Sequence, residues 1–302
     1  MLARRFAIGN KMPMSDTPDL ARIIARNTPQ EGVFQTLVPG LSLIRADDPG
    51  MPMPTVYEPS LCIIAQGAKT VSLGAQTLHY DDAHCLVAGV DLALIGQVTA
   101  ASPDHPYLCC KIDIDQTVLA DLIAADGNAL PPGNPPPLAV HPIGPELLDA
   151  STRLLRLLDR PHSIPVLAPL VQREILYHLL NGPQGAMLRH AASGDCHLGQ
   201  VSRAIGWIRH HSHEQLRIRD VAGEARMSIS SLHHHFKRIT GLTPLQFQKQ
   251  LRLQAARQMM IAEGINAGSA GFAVGYDSPS QFSREYRRLF GAPPRADISG
   301  LN

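Results

Sequence analysis

One sequence pattern occurs twice in the last third of this 302-residue chain, with matching positions 50 residues apart. The two copies are Arg219–Pro244 and Gly268–Pro294. Each copy has a short helix pattern rich in small residues, then a turn, a serine and a second helix pattern that ends at glycine and proline. Each second helix carries two large apolar residues four positions apart, which predict one buried face. These pairs are Leu232 with Phe236, and Phe282 with Tyr286.

The repeated unit predicts a helix-turn-helix, present twice. Ser228 and Ser278 stand where a side chain can cap the second helix. Gly275 supplies the positive φ that the turn of the second copy needs. A capped helix with a polar outer face can enter the major groove of DNA by its N-terminal half. Since only helix patterns follow Val201 up to Phe290, we predict an all-α C-terminal domain with two such motifs.

The outward faces of the two second helices carry polar and basic residues. Those near each helix start are candidates for base contacts: Ser230, His233, His234, Ser280, Ser283 and Arg284. Those further along are candidates for phosphate contacts: Lys237, Arg238, Arg287 and Arg288. Residues 201–302 have a net charge of +7, whereas residues 1–200 have a net charge of −6. A basic end on an acidic body predicts a polyanionic partner, here double-stranded DNA.

The region from Gly32 to about Asp115 has a different pattern. Short runs rich in β-branched and apolar residues alternate with turn residues, as in "SLCIIAQGAKTVSLGAQTLHY". This spacing predicts an antiparallel sandwich or barrel. Residues 128–145 then contain seven prolines, which predict a loop without regular structure.

Two helices with apolar stripes are predicted between residues 145 and 180. They favour a helical hairpin, which can also form a homodimer contact. The small, polar segment after them indicates a linker. The predicted division is an N-terminal arm (1–31), a sensing domain with the helical hairpin (32–190), a linker (191–199) and a DNA-binding domain (200–302).

The C-terminal third resembles the DNA-binding domain of the AraC-type family of bacterial transcription regulators. The segment "AVGYDSPSQFSREYRRLFGAPP" is similar to the family's C-terminal signature, and "QKQLRLQAARQMM" resembles the long helix that joins its two motifs. The N-terminal segments "SLCIIAQGAKTVSLGAQTLHYD" and "VDLALIGQVTAASPDHPYL" resemble the regulatory domain of one of its subgroups. This resemblance implies a two-domain β + α fold, with a cupin-like antiparallel β-barrel and helical hairpin before the helical DNA-binding domain. It also implies a sequence-specific transcription regulator that senses a small-molecule effector and works with RNA polymerase.

Two features depart from the family pattern. Arg226 stands in the first turn, where the family usually has glycine, and it costs about 1 kcal/mol if its backbone is left-handed. Gly268 and Gly271 lie in the first helix of the second motif, and each weakens a helix by about 1 kcal/mol relative to alanine. We therefore expect reduced stability in both elements, with no loss of a DNA-facing group.

No metal, cofactor or catalytic site is predicted. His233, His234 and His235 are consecutive on a helix and point about 100° apart, so they cannot share one ion. The barrel lacks the H-x-H spacing of metal-binding cupins, and the five cysteines show no C-x-x-C spacing. Candidates for lining an effector pocket inside the barrel are Cys62, His79, Cys85 and His105.

Two other functions stay open from the sequence. One is a cupin-type enzyme fused to a DNA-binding domain, and the other is an effector-independent dimeric DNA-binding protein. No apolar run reaches the length of about 18 residues that a membrane span needs, and no secretory signal pattern is present. Together with the odd number of cysteines, these features predict a cytoplasmic protein.

Overall fold

A computed structural model describes residues 17–127 and 129–299. The predicted fold class is confirmed: antiparallel strands fill the N-terminal region, and helices alone follow the last strand. Residues 1–16 of the predicted N-terminal arm lie outside the described residues. The described part of the arm contains the buried side chains of Leu20 and Ile24. These belong to a helix that packs on the β-domain.

The β-domain consists of two antiparallel sheets. One sheet has the strand order β1-β2-β9-β4-β7-β10, and the other has the order β3-β8-β5-β6. The strands are β1 (Gly32–Gln35), β2 (Leu41–Ala46), β3 (Met53–Tyr57), β4 (Ser60–Gln66), β5 (Ala68–Leu73), β6 (Gln76–Asp81), β7 (His84–Ala88), β8 (Leu92–Ala100), β9 (Tyr107–Asp113) and β10 (Leu138–Pro142). The inner faces of the two sheets supply one apolar core.

The proline-rich segment is not a loop throughout, because β10 pairs with β7 inside it. The expectation that residues 128–145 lack regular structure was therefore wrong at this strand. The run from Leu138 to His141 contains no proline, so its backbone N–H groups are available to the sheet. The strand lies at an edge, where the proline at its end is tolerated.

The helices are α1 (Thr17–Asn27), α2 (Gln116–Asp126), α3 (Pro145–Arg156), α4 (Ile164–Asn181), α5 (Gly185–Ala192), α6 (His197–His210), α7 (Ile218–Glu224), α8 (Ile229–Thr240), α9 (Pro244–Ala262), α10 (Ala267–Ala273), α11 (Pro279–Phe290) and α12 (Pro294–Ser299). Two short 3₁₀ helices, Leu157–Asp159 and Pro161–Ser163, connect α3 to α4. Helices α3 and α4 form the predicted hairpin. None of the described helices is long and apolar enough to cross a membrane.

The predicted linker, residues 191–199, lies partly within α5 and α6, and only a short turn separates the two helices. Helix α5 ends at Ala192 and α6 begins at His197, so four residues separate them. The Cys196 thiol donates a hydrogen bond to the carbonyl oxygen of His190 over 2.8 Å, which closes this turn. The apolar core of the β-domain continues through α6 into Phe236 of the first helix-turn-helix and Phe247 of α9. The second helix-turn-helix has a separate core around Phe282 and Tyr286.

Strand β3 and its neighbouring turn form polar contacts with the helical domain. The backbone N–H of Val56 donates to Oε1 of Gln254 on α9 over 3.0 Å. Arg209 on α6 forms ion pairs with Glu58 and with Asp91. The Asp91 side chain is only 14% exposed, so its charge depends on Arg209 for compensation.

We predict that Arg209→Ala destabilises the protein by about 1–3 kcal/mol, because Asp91 loses its cation in a poorly hydrated site. The measurement is urea unfolding followed by the fluorescence of Trp207, the single tryptophan, which lies on the same helix as Arg209. Arg153→Ala is the control, since Arg153 also pairs with two carboxylates, Asp149 and Glu174, but at the surface of the hairpin. We expect that change to cost less than about 1 kcal/mol. Equal losses in both variants would contradict this role of Arg209.

Candidate DNA interface

The first helix-turn-helix consists of α7 and α8. The side chain of Ser228 caps α8 by accepting a hydrogen bond from the backbone N–H of Ser231 over 3.2 Å. Leu232 and Phe236 are fully buried, as their spacing predicts. The Phe236 ring packs edge-on against Phe247 of α9, with 5.6 Å between ring centroids. This packing fixes which face of α8 is directed outward.

The second helix-turn-helix consists of α10 and α11 and repeats this arrangement. Ser278 caps α11 by accepting from the backbone N–H of Gln281. Phe282 and Tyr286 are buried. The hydroxyl of Tyr286 donates to Oδ2 of Asp297 over 2.6 Å, and the same carboxylate pairs with Arg257 of α9. Helix α11 is therefore held by both apolar contacts and a half-buried polar cluster.

Helix α9 joins the two units, and two of its polar residues hold the joint. The amide of Gln248 donates to the carbonyl oxygens of His211, Ser212 and Glu214, with the shortest distance 2.8 Å. The guanidinium of Arg252 donates to Ser212, Glu214 and Gly275 carbonyl oxygens at 2.5–2.9 Å. These bonds connect the loop before α7 with the turn of the second unit. The sequence prediction missed both residues, although their spacing of four places them on one helix face.

The predicted contact residues lie on the outward faces of α8 and α11. All of them are exposed except Ser283, which is half-buried: Ser230, His233, His234, Lys237, Arg238, Ser280, Ser283, Arg284, Arg287 and Arg288. The third residue of the histidine run, His235, points elsewhere and stacks on His197 of α6 with 3.6 Å between ring centroids. Burial lowers the pKa of His235, with a further contribution from His197. The described residues contain no group of histidine, cysteine or acidic side chains arranged to hold a metal ion.

The four effector-pocket candidates do not come together. Cys62 and Cys85 are buried, whereas His79 and His105 are exposed. Cys62 pairs with Leu86, so its neighbour Cys85 lies on the opposite face of the sheet. Burial raises the pKa of Cys85 to about 12, so it remains a thiol at neutral pH. The sequence prediction missed the residues that do meet between the sheets with Cys62: Tyr57, Lys69, Tyr80, Tyr107 and Cys109.

Two surface cavities lie outside the space between the sheets. One, of about 580 Å³, lies along α3 and α4 and is lined by Arg153, Leu167 and Leu170 among others. Another, of about 610 Å³, lies between α4 and the end of β9. Helix α4 also exposes Val166, Leu170 and Tyr177. The hairpin thus presents an exposed apolar face.

Comparison with known protein families identifies both domains. Residues 37–187 match the model of the AraC-type transcriptional regulator N-terminus. Residues 221–297 match a helix-turn-helix domain. The chain belongs to the AraC-type family of transcriptional regulators.

Curated relatives include the transcriptional activator RhaS of two bacteria. The protein from Klebsiella pneumoniae is 28% identical over 125 residues, which cover 41% of this chain and 44% of the relative. The protein from Salmonella schwarzengrund is 26% identical over 155 residues, covering 51% of this chain and 55% of the relative. The chain thus spans about half the length of the curated relatives it matches.

Solved structures of ToxT from Vibrio cholerae share the two-domain fold. An apo variant aligns with a TM-score of 0.62 at 10% identity, covering 89% of this chain and 100% of that chain. ToxT with bound unsaturated fatty acid aligns with a TM-score of 0.59 at 9% identity, covering 86% of this chain and 93% of that chain. At these identities the comparison establishes the fold alone.

Arg226 has a φ of 52°, so its backbone is left-handed. This is the conformation in which arginine, unlike the glycine usual in the family, is strained. We predict that Arg226→Gly stabilises the protein by about 1 kcal/mol, because glycine adopts this conformation without steric strain. Arg226→Ala is the matched control, since it removes the same charge but keeps a β-carbon. Thermal unfolding of the three proteins measures the difference. An equal gain in both variants would assign the effect to charge rather than to the backbone.

Replacing each of the two glycines of α10 with alanine should change the stability of the second unit in opposite directions. A β-carbon at Gly271 would lie 2.9 Å from Cγ of Phe282, whereas one at Gly268 would meet only Oδ1 of Asn266, at 3.4 Å. Gly268→Ala should therefore stabilise the second unit by up to about 1 kcal/mol through helix propensity. Gly271→Ala should destabilise it by about 1–3 kcal/mol, because α11 must move outward. Chemical unfolding monitored by circular dichroism measures both, and a gain at both positions would show that α11 does not need this close approach.

Proposed function

We propose that this protein is a sequence-specific DNA-binding transcription regulator, and that its N-terminal β-domain senses a small-molecule effector. The observation that carries the proposal is the pair of capped helices, α8 and α11, whose polar faces are exposed while α9 holds them in one arrangement. Residues 32–190 would form the sensing domain and residues 200–302 the DNA-binding domain. Such a protein would act in the bacterial cytoplasm, together with RNA polymerase.

The two helices would read successive segments of the major groove. A rigid joint can place them about one helical turn apart, which corresponds to roughly 10 base pairs. Ser230, His233 and His234 would contact bases in one segment, and Ser280, Ser283 and Arg284 in the other. The phosphate contacts would come from Lys237, Arg238, Arg287 and Arg288. Since these contacts release counterions, affinity should fall steeply with added salt.

Effector sensing and dimer formation are the remaining parts of the proposal. The family match over residues 37–187 supports a regulatory role for the β-domain. The bound fatty acid of ToxT shows that a protein of this fold can hold a small organic molecule. The apolar face of α4, with Val166, Leu170 and Tyr177, would contact a second copy of the chain.

Catalysis is not part of this proposal. Assays for product formation from candidate ligands distinguish a regulator, which forms no product, from a cupin-type enzyme fused to a DNA-binding domain, which does. An effector-independent dimeric DNA-binding protein would show no ligand-dependent shift of its thermal unfolding.

Arg284 and Arg288 provide a direct test on α11. Arg284 lies near the helix start, where a bidentate bond to guanine is worth about 1–3 kcal/mol of discrimination. Arg284→Ala should therefore relax base preference in one of the two segments. Arg288 lies one turn further on, and Arg288→Ala should weaken binding to all sequences alike and reduce the salt dependence by about one contact.

Selection on randomised DNA with the full-length variants measures both effects. Arg22→Ala is the control, because Arg22 is an exposed arginine on α1, far along the chain from both motifs. It should leave affinity and preference unchanged. If Arg284→Ala retains the preferred sequence, or blurs both segments equally, the placement of α11 in the groove is wrong.

A further inference from the structure

Three tyrosines and one lysine meet between the two sheets of the β-domain. Lys69 on β5 lies directly opposite Tyr80 on β6. The Lys69 ammonium donates to the hydroxyl of Tyr57 on β3 over 2.8 Å. It also lies 5.9 Å from the ring centroid of Tyr107 on β9, which belongs to the other sheet. Four strands of both sheets thus direct polar atoms toward one point.

Gly96 gives the lysine room to turn inward. A β-carbon at this position of β8 would lie 3.1 Å from Cε of Lys69. Val71, two positions further along β5 and therefore on the same face, is fully buried. The lysine chain therefore runs along the inner face of its sheet rather than into solvent.

The charge of Lys69 has no anionic partner among the described residues, because the groups that surround it are phenols and thiols. Burial raises the pKa of Tyr57, Tyr80 and Tyr107, so all three phenols are neutral near pH 7. A hydrogen bond with Cys109, together with burial, raises the pKa of the Cys62 thiol. Burial opposes the charge on Lys69, whereas the hydrogen bond to the Tyr57 hydroxyl favours it.

Two of the surrounding hydroxyls also lack a well-formed hydrogen bond. Tyr80 and Tyr107 are 1% and 0% exposed; their hydroxyls lie near each other and near the Cys109 thiol, but neither hydroxyl makes a hydrogen bond of normal geometry in the described chain. Burying a hydroxyl unpaired costs about 1–3 kcal/mol. Native proteins rarely retain such groups unless a water, ion or ligand satisfies them. Two buried hydroxyls without a well-formed hydrogen bond, beside a lysine that has no acidic partner among the described residues, suit an acceptor that carries negative charge and has at least two lone-pair sites.

We propose that this cluster binds the carboxylate of a short organic acid. One carboxylate can accept from the Lys69 ammonium and from both hydroxyls, because its two oxygens offer about four lone-pair sites. Val71 and Leu94 are fully buried on the same inner sheet face as Lys69, so a long chain would have to displace packed side chains, and we expect a short acid. The inference rests on the proposed effector-sensing function and names the chemical class of that effector.

The site is joined to the helical domain through three consecutive residues. Tyr57 contacts Lys69 on the inside, while the backbone N–H of Val56 is bound by Gln254 and the carboxylate of Glu58 pairs with Arg209. An acid that draws Lys69 away from Tyr57 therefore acts on a segment that contacts both α6 and α9. Occupancy of the cluster would reach the DNA-binding domain over this short path.

Thermal unfolding of the full-length protein tests the site. Acetate, butyrate and benzoate are compared with the corresponding neutral amides, and with oleate and inorganic phosphate. At least one short acid should raise the Tm of the wild type, while its amide does not. If no short acid stabilises more than its amide, or if only oleate or phosphate stabilises, the proposed ligand class is wrong.

Variants locate the binding event. Lys69→Met should weaken binding of the stabilising acid by roughly tenfold or more, because it removes the charge-assisted bond. Tyr80→Phe and Tyr107→Phe keep the ring and should each weaken binding, whereas Tyr177→Phe removes an exposed hydroxyl and should not. If Lys69→Met does not fold, the Tyr80→Phe and Tyr107→Phe variants still test whether the acid binds at this cluster. Unchanged affinity in Lys69→Met, or in both interior Phe variants, would overturn the assignment.

The DNA-binding measurement on the wild type separates this inference from the proposed function. Wild-type protein that binds DNA sequence-specifically but shows no response to short acids rejects the carboxylate site alone. Protein that binds short acids at Lys69 but shows no sequence-specific DNA binding rejects the regulator proposal and leaves the site standing.

Discussion

The arrangement of the two helix-turn-helix units depends on the guanidinium of Arg252. Its donors reach backbone carbonyl oxygens of Ser212, Glu214 and Gly275, which belong to the loop before the first unit and to the turn of the second. A planar group with fixed donors sets the directions of its partners as well as their distances. Because these carbonyls belong to turns rather than to helices, their positions would otherwise vary. The spacing between the outward faces of α8 and α11 follows from this contact and from the length of α9.

The two units differ in what supports them. The first shares an apolar core with the β-domain, so α8 is coupled to the packing of α6 and the strands behind it. The second has a core of its own and is tied to α9 by the polar pairs Lys249–Glu285 and Arg257–Asp297. A change in the β-domain can thus reach α8 through packed side chains, while α11 follows through α9. Such a difference is suited to a regulator in which one motif responds more directly than the other.

Strand β3 contacts both the interior of the β-domain and the helical domain. It lies at the edge of the four-stranded sheet, so its outer backbone groups are free to accept contacts from the helical domain. Gln254 uses one of these groups, at Val56. On its inner side the same strand carries Tyr57, which binds Lys69. An edge strand with a polar interior contact is a short connection between a buried cluster and a neighbouring domain, and it needs no long-range rearrangement.

The sequence by itself determined the features that depend on local spacing. The repeated pattern predicted both helix-turn-helix units, their serine caps and their buried pairs, because helix periodicity and capping act within a few residues. Turn residues and short runs of β-branched and apolar residues predicted the antiparallel β-domain. The arginine at position 226, in place of the family's usual glycine, indicated that this residue could have a left-handed backbone, and the structure has one there. Tertiary structure alone decided which side chains meet inside. Lys69, Tyr57 and Tyr107 come from three strands of two sheets, and whether a strand residue faces inward depends on a register set by distant partners, such as Met53 opposite Gly96. For the same reason the sequence analysis grouped His79 and His105 with Cys62, whereas His79 lies on the outer face of β6 and His105 lies in the exposed turn between β8 and β9.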